Sequence, residues 1–445
     1  RPLQLLGVWP AADFRLDPPR APVLTYVLIG LVIGGIFIAL LIAWRERSPV
    51  LPVCVGAAAL GALLVSIGGS PWIQGKGFAT ASPALLLVGL VGAAALFVEP
   101  ARVGTAADRP RGDGIMAARG LSLGVCVAVT VVVLWGNGLA YGHVTLAPYG
   151  QMSELSSIGQ RFAGQGPTLV NENEVYASRH FLRRMAPESP SDLRRRPIFL
   201  RGGGEVPKGG YSDLDQFALS SLLVYRTIVM RSSPVASRPP SPYRLIYNGR
   251  WYQVWQRPRR LLRPVIDSLP LGDPGTPAGL PPCGAVAALA KEAGRHGLLA
   301  AAARRAPTTI SVPAQLPTGT TTRSFTVASP GQYQVWLGGS LVGHLVVRVD
   351  GQPIASTRES LNEPGGFIPL GRISLAAGPH KLRLSYTGAS LAPGSAGPSA
   401  ADPPFTVGPL EVAPPPGKVP VSYVSAAGYR SLCGRPWDWV EALGG

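Results

Sequence analysis

Charge is scarce in this chain. Of its 445 residues only 15% are Asp, Glu, Lys or Arg, while 46% are hydrophobic; soluble domains carry about 25% charged residues. With a mean hydropathy of +0.22, so little charge excludes a wholly water-exposed surface and points to lipid contact. Acidic groups are scarcer still, 24 against 41 Lys and Arg, for a formal net charge of +17. There are four cysteines and five histidines, with no Cys-x-x-Cys pair and no His-Glu-x-x-His helix, which excludes zinc-ribbon, dithiol-redox and zincin chemistry. No Walker loop or nucleophile elbow is present either, so no complete catalytic constellation is legible.

The positive balance invites a nucleic-acid partner. The arginines, however, are scattered among prolines and loops, with no recognition helix, zinc-finger spacing or aromatic RNA-binding signature. No nucleic-acid partner is therefore expected; anionic lipid headgroups or acidic envelope polymers suit the charge better. Ala, Gly, Pro and Arg dominate the polar regions, a bias consistent with a GC-rich bacterial genome.

The apolar residues crowd into the first third. Val23 to Trp44 carries no charge and is long enough to cross about 30 Å of hydrocarbon as a helix. Further runs at 51–67, 80–98 and 120–136 give about four expected transmembrane helices. Arg45 and Arg47 follow the first span, and Arg102, Arg109, Arg111 and Arg119 precede the fourth. The positive-inside rule makes both loops cytoplasmic. It then places the Gly68 to Ser82 loop and everything after Gly136 on the outer side. The chain opens at Arg1 without a signal sequence, as the tail of a longer protein would.

Beyond residue 140 the texture is aqueous. Residues 141–260 are expected as a small extracytoplasmic α/β domain, with a hairpin in Tyr243 to Gln256 turning at Asn248-Gly249, a type I′ pair. Residues 261–305 read as a Pro/Gly-rich linker and an alanine-rich helix from Ala285 to Arg304. In 306–415 short alternating strands recur: Ser324 to Val327, Gln332 to Leu337, His344 to Val349, Ile368 to Leu370, Lys381 to Tyr386 and Phe405 to Val412. They imply a β-sandwich. Ala389 to Pro404 reads as a flexible loop and 416–445 as a tail.

Cys54 and Cys126 fall inside spans and read as packing residues. Cys283 and Cys433 bracket the sandwich on the outer side, which predicts a disulfide. No metal site is expected. The acidic candidates for a general base or cation ligand are Asp13, Glu172, Glu174, Asp213 and Asp215, although a solvated turn or helix cap accounts better for the last two. Trp251, Tyr252 and Trp255 in the hairpin, and Trp336 on the sandwich, are candidates for stacking on sugar rings; aromatic residues in a hairpin more often pack its core.

Three stretches carry a resemblance: Gly7 to Arg15 (GVWPAADFR), Gly75 to Pro83 (GKGFATASP) and Ser241 to Pro258 (SPYRLIYNGRWYQVWQRP). They resemble the C-terminal part of actinobacterial multi-pass membrane glycosyltransferases of the GT-C type. Gly331 to Trp336 (GQYQVW), Val349 to Gly351 and Gly378 to Leu384 (GPHKLRL) are similar to jelly-roll carbohydrate-binding modules. The resemblance implies a polyprenyl-phosphate sugar donor, a cell-envelope polysaccharide partner and a catalytic carboxylate upstream of Arg1. The expected protein is thus a multi-domain membrane protein whose α/β domain and jelly-roll-like sandwich serve a glycosyltransferase. Its rival is a non-catalytic, membrane-tethered carbohydrate-binding or scaffold protein. A transporter ranks third, since the spans lack intramembrane charge.

Overall fold

The computed structural model describes residues 2–8, 22–69, 71–98, 112–142, 149–172, 175–190, 194–207, 210–271, 279–303, 306–360, 362, 365–387 and 406–445. Asp13, Glu174, most of the arginine-rich loop before the fourth span and the Ala389 to Pro404 loop lie outside these residues. The chain forms two compact units, Arg1–Val144 with Gly388–Pro404, and Thr145–Thr387 with Phe405–Gly445.

The first unit is helical: α1 (Pro22–Arg45), α2 (Val50–Gly68), α3 (Pro71–Val98) and α4 (Gly112–Gly142). Among the described residues three stretches are long and apolar enough to cross a membrane, Val23–Arg45, Val50–Gly68 and Ile73–Ala95. Within α4, which is 31 residues long, the described apolar stretch is the shorter Gly120–Trp135. Leu, Val, Ile and Phe side chains stay exposed around these helices, Phe37 and Leu64 among them, as lipid-facing helices require. The expected outer loop Gly68 to Ser82 is instead largely helical, because α3 starts at Pro71 and runs through Pro83. A proline costs a helix one backbone bond; the apolar residues on both sides carry α3 across it. α1 and α3 meet through glycines: a Cβ on Gly92 would strike the Gly35 carbonyl. Small residues allow such backbone approach in lipid, where packing replaces the hydrophobic drive.

The second unit begins with α5 (Tyr149–Arg161), β1 (Thr168–Asn171), α6 (Val175–Phe181), β2 (Pro187–Glu188), α7 (Leu219–Leu223), β3 (Thr227–Arg231), β4 (Arg244–Asn248) and β5 (Tyr252–Gln256). The strands form a mixed five-stranded sheet, ordered β2-β1-β3-β5-β4. The β4–β5 turn is displaced from the expected Asn248-Gly249 to Arg250-Trp251: Asn248 pairs with Gln253, and the Gly249 amide donates to the Tyr252 carbonyl at 2.9 Å. The Glu154 carboxylate on α5 decides this, accepting the Tyr252 amide at 2.9 Å and the Trp251 amide at 3.1 Å. Gly249 packs so closely on that carboxylate that a Cβ would collide with it.

Next come β6 (Val265–Ser268), α8 (Cys283–Ala293), β7 (Leu298–Ala303) and the sandwich strands β8 (Thr308–Ile310), β9 (Gly319–Val327), β10 (Gly331–Gly339), β11 (Leu341–Val349), β12 (Gln352–Ser360), β13 (Phe367–Leu375), β14 (Gly378–Thr387) and β15 (Val407–Ala413). Two antiparallel sheets, β13-β10-β15-β8 and β12-β11-β14-β9, face each other. Tyr333, Val335 and Leu337 from one meet Leu345, Val347 and Val349 from the other in a single core, as period-2 alternation dictates.

The chain returns through β16 (Val421–Ser425) and β17 (Trp437–Leu443). These pair with the earlier strands in a fourth sheet, β16-β7-β17-β6. Residues expected as a linker and a tail are therefore one sheet, and the expected helix to Arg304 ends at Ala293. Gly294, at φ +74°, stops it, and Leu298–Ala303 is drawn into a buried strand between β16 and β17. Val265, Ala300, Trp439 and Leu443 of this sheet share a core with Leu169, Ile228 and Trp255 of the five-stranded sheet, and with Tyr225 just before β3. Cys283 and Cys433 form the expected disulfide, with Cα atoms 5.1 Å apart.

Candidate binding cleft

Where β3 ends, the chain runs through Ser232 to Pro240 and passes between the two sheet systems of the second unit. Its side chains form one wall of a cleft of about 350 Å³. Arg231, Ser237 and Arg238 line that wall; Gln253 and Trp255 on β5, Trp336 on β10 and the segment Ala413 to Pro420 complete the enclosure. Pro414, Pro415 and Pro416 give the last segment a stiff backbone. The volume falls at the lower end of the range for small-molecule sites, about 300–1,000 Å³.

Arg231 sits at the inner end. Its Nη2 donates to Asn362 Oδ1 at 3.0 Å and to the Phe367 carbonyl at 3.3 Å, tying the five-stranded sheet to the sandwich. The same guanidinium lies 5.3 Å from the centroid of Trp251. Arg238 is buried and donates to the Pro239, Val419 and Tyr243 carbonyls. Burial lowers its pKa, an effect that Asp438 and Glu441 oppose. Behind the wall, Asp213 accepts from the Leu214 amide at 2.8 Å and from the Ser237 amide at 2.9 Å. Burial first, and the neighbouring Asp215 second, push the Asp213 carboxyl up to about 7. Glu441 is raised by burial too, against the bonds it accepts from Ser241 and the Trp439 indole.

Trp336 behaves differently from its neighbours. Alternation along β10 points it out of the sandwich core, where the sequence places it on an exposed face. Instead Val235 and Phe367 cover it and it is 1% exposed. Its indole Nε1 is buried without a hydrogen-bond partner among the described residues. Buried donors left in this state are rare and cost about 1–3 kcal/mol.

The four aromatic candidates thus separate. Tyr252 and Trp255 are buried, the latter donating its indole N–H to Gln253 at 3.0 Å. Trp251 is half-buried and carries Arg231 and Arg250 against its ring. None offers the bare ring face that sugar stacking requires; Trp255 and Trp336 line the cleft from within a packed core. Asp213 and Asp215 are buried rather than solvated, and only Asp213 caps a turn. Glu172 is buried 3.7 Å from the Arg231 guanidinium. Among the described residues no group of three or more His, Cys, Asp or Glu is placed to hold a metal ion. Sequence reasoning passed over Arg231, Gln253 and Asp438; the Ala413 to Pro420 stretch (APPPGKVP) was the readable signal of a rigid wall.

No family model matches the chain, and no curated protein does. Among solved structures it is similar in part to a β-glucosidase from Paenibacillus barengoltzii, at 14% identity and a TM-score of 0.16, over 23% of this chain and 10% of that one. A family 35 carbohydrate-binding module from an environmental isolate matches at 16% identity and a TM-score of 0.16, over 26% of this chain and 77% of the module. A GH26-CBM35 β-(1,4)-mannanase from Podospora anserina matches at 12% identity and a TM-score of 0.17, over 28% and 29% of the two chains. The chain spans a tenth of the β-glucosidase's length. Likenesses this partial decide neither the overall fold nor the activity.

Proposed function

We propose that the chain is a membrane-tethered glycan-binding region whose cleft holds a sugar unit of a cell-envelope polysaccharide. The observation that carries this is the cleft itself, a space of about 350 Å³ lined by both apolar and polar side chains. Such a space suits a single sugar ring, and Trp336 contributes to its lining. The remaining lining suits the same ligand: proline rings, Ala236 and Trp255 supply apolar contact for C–H faces, and Gln253, Ser237 and Arg231 supply polar partners for hydroxyl groups. The Cys283–Cys433 disulfide favours an extracytoplasmic setting, and the apolar helices a membrane anchor.

Within this reading the region serves a GT-C-type glycosyltransferase that takes its sugar from a polyprenyl-phosphate donor, with the cleft positioning the growing acceptor. Calorimetry of the full chain in nanodiscs against a panel of neutral envelope oligosaccharides tests the binding. Saturable binding is expected, weakened about 2- to 13-fold by Ser233→Ala in the cleft lining, the equivalent of one neutral hydrogen bond of about 0.5–1.5 kcal/mol. Absence of binding, or an unchanged affinity in the variant, removes the proposal. The transferase role fails separately if the complete protein turns over no polyprenyl-phosphate sugar.

A further inference from the structure

The two outer faces of the sandwich have different fates. On the β13-β10-β15-β8 sheet, Trp336, Gln334 and Glu411 are buried. The outer face of β12-β11-β14-β9 is open. Alternation sends Phe325, Leu345, Val347, Leu382 and Leu384 into the core, so the residues between them point outward. These include Arg348, Arg358, Lys381 and Arg383, all exposed.

Register makes a patch of them. Arg348 on β11 lies directly opposite Arg383 on β14, and His344 lies opposite Arg358 on β12. Lys381 follows on the same side of β14. Among the described residues none of these four cations forms an ion pair. The carboxylate at this edge, Asp350, is engaged by the His380 ring at 2.6 Å and the Lys381 amide at 2.8 Å. Between and beside the cations stand hydroxyls: Ser356, held to His344 at 2.8 Å, and Ser385, held to Thr320 at 3.1 Å, with Thr322 and Ser324 on β9 exposed next to them. Like charges facing one another across a ladder destabilise a sheet, so folding alone does not favour Arg348 opposite Arg383.

We propose that this face binds an extended, carboxylate-bearing polysaccharide. Guanidinium groups pair with carboxylates through two parallel N–H donors, and the interleaved hydroxyls match the uncharged hydroxyls of the same polymer. No Trp, Tyr or Phe stands on the outward face among the described residues, so neither a lipid interface nor stacked nucleobases would find an anchor there. The face is also a flat four-stranded surface, whereas a duplex major groove admits a helix or a two-stranded ribbon. It shares no residue with the cleft, so the two sites can fail independently.

The test uses the full chain in nanodiscs of zwitterionic lipid and polygalacturonate oligomers as the probe, at about 0.05 M and about 0.3 M salt. Binding is expected at low salt, weakening as salt rises, with no binding of neutral dextran. Arg348→Ser with Arg383→Ser should weaken it at least tenfold. That variant should also leave the melting temperature unchanged or raised, and neutral-sugar binding at the cleft intact. The proposal is overturned if polygalacturonate does not bind at low salt or if the double variant binds it equally well. It is also overturned if phosphatidylglycerol vesicles or single-stranded DNA engage the same arginines as tightly.

Discussion

Removing the Cys283–Cys433 disulfide should destabilise the second unit chiefly through its unfolded state. The bond closes a loop with a sequence separation of 150 that contains the entire sandwich. In the native state β7 is already paired with β16 and β17, so the two ends are held together without it. In the unfolded chain nothing else holds them. The chain-entropy relation for a loop of this size gives about 17 cal/mol/K, or about 5 kcal/mol at 25 °C, as an upper value, and removal of native disulfides typically costs about 2–5 kcal/mol. Cys283→Ser with Cys433→Ser should therefore lower the urea midpoint, followed by tryptophan fluorescence of the full chain in detergent, by about 0.7–1.7 M for a slope near 3 kcal/mol/M. Reductant should shift the native protein to the same midpoint and leave the variant where it is. Coincident midpoints for native and variant proteins would refute the reasoning, because they would mean that the loop ends stay together after unfolding.

The buried Asp213 gives a pH signature. Its pKa is 3.8 when unperturbed and about 7 in the fold, so the native state binds the extra proton between those values. Stability should then fall as pH rises from about 4 to about 7 and level off above. Asp213→Asn should flatten that slope, as urea midpoints at pH 5 and pH 8 would reveal. Gly249→Ala should push the Glu154 carboxylate off the Trp251 and Tyr252 amides, costing about 1–3 kcal/mol; an unchanged denaturation midpoint would count against it. Gly92→Leu should part α1 from α3 at Gly35 and lower the temperature at which the detergent-solubilised protein aggregates; an unaltered temperature would show that the helices do not meet there.

Some of this was legible and some was not, for physical reasons. Hydropathy located α1 and α2, because lipid selects apolar residues on every side of a helix. It misplaced the start of α3, because Gln74, Lys76 and Pro83 break the run although the backbone continues through them. Period-2 alternation revealed β10, β11 and β14, whose inward residues are apolar. It missed β12, Gln352–Ser360, whose sequence QPIASTRES has no such alternation. Alanine misled most: Leu298–Ala303 has the propensity of a helix, yet pairing on both edges makes it a strand. At Trp336 the parity was readable but the covering segment was not, since Val235 lies far away in sequence. The cleft was illegible for the same reason, being assembled from residues on β3, β5, β10 and β15 and from two loops that only the fold brings together.

The connectivity explains why the cleft is set rather than adjustable. The chain leaves the five-stranded sheet along β6, α8 and β7, builds the sandwich, and comes back along β16 and β17 into the core it left. Trp439 and Leu443 on the returning strand pack with Tyr225 and Ile228, so the sandwich is held at both of its ends. A module tethered at one end could swing; one tethered at two, with a disulfide beside the return and Arg231 bonded to Asn362 and Phe367, has little freedom. The same restraint leaves the β12-β11-β14-β9 face outward, so one inserted module closes the cleft with one sheet and carries its exposed cations on the other.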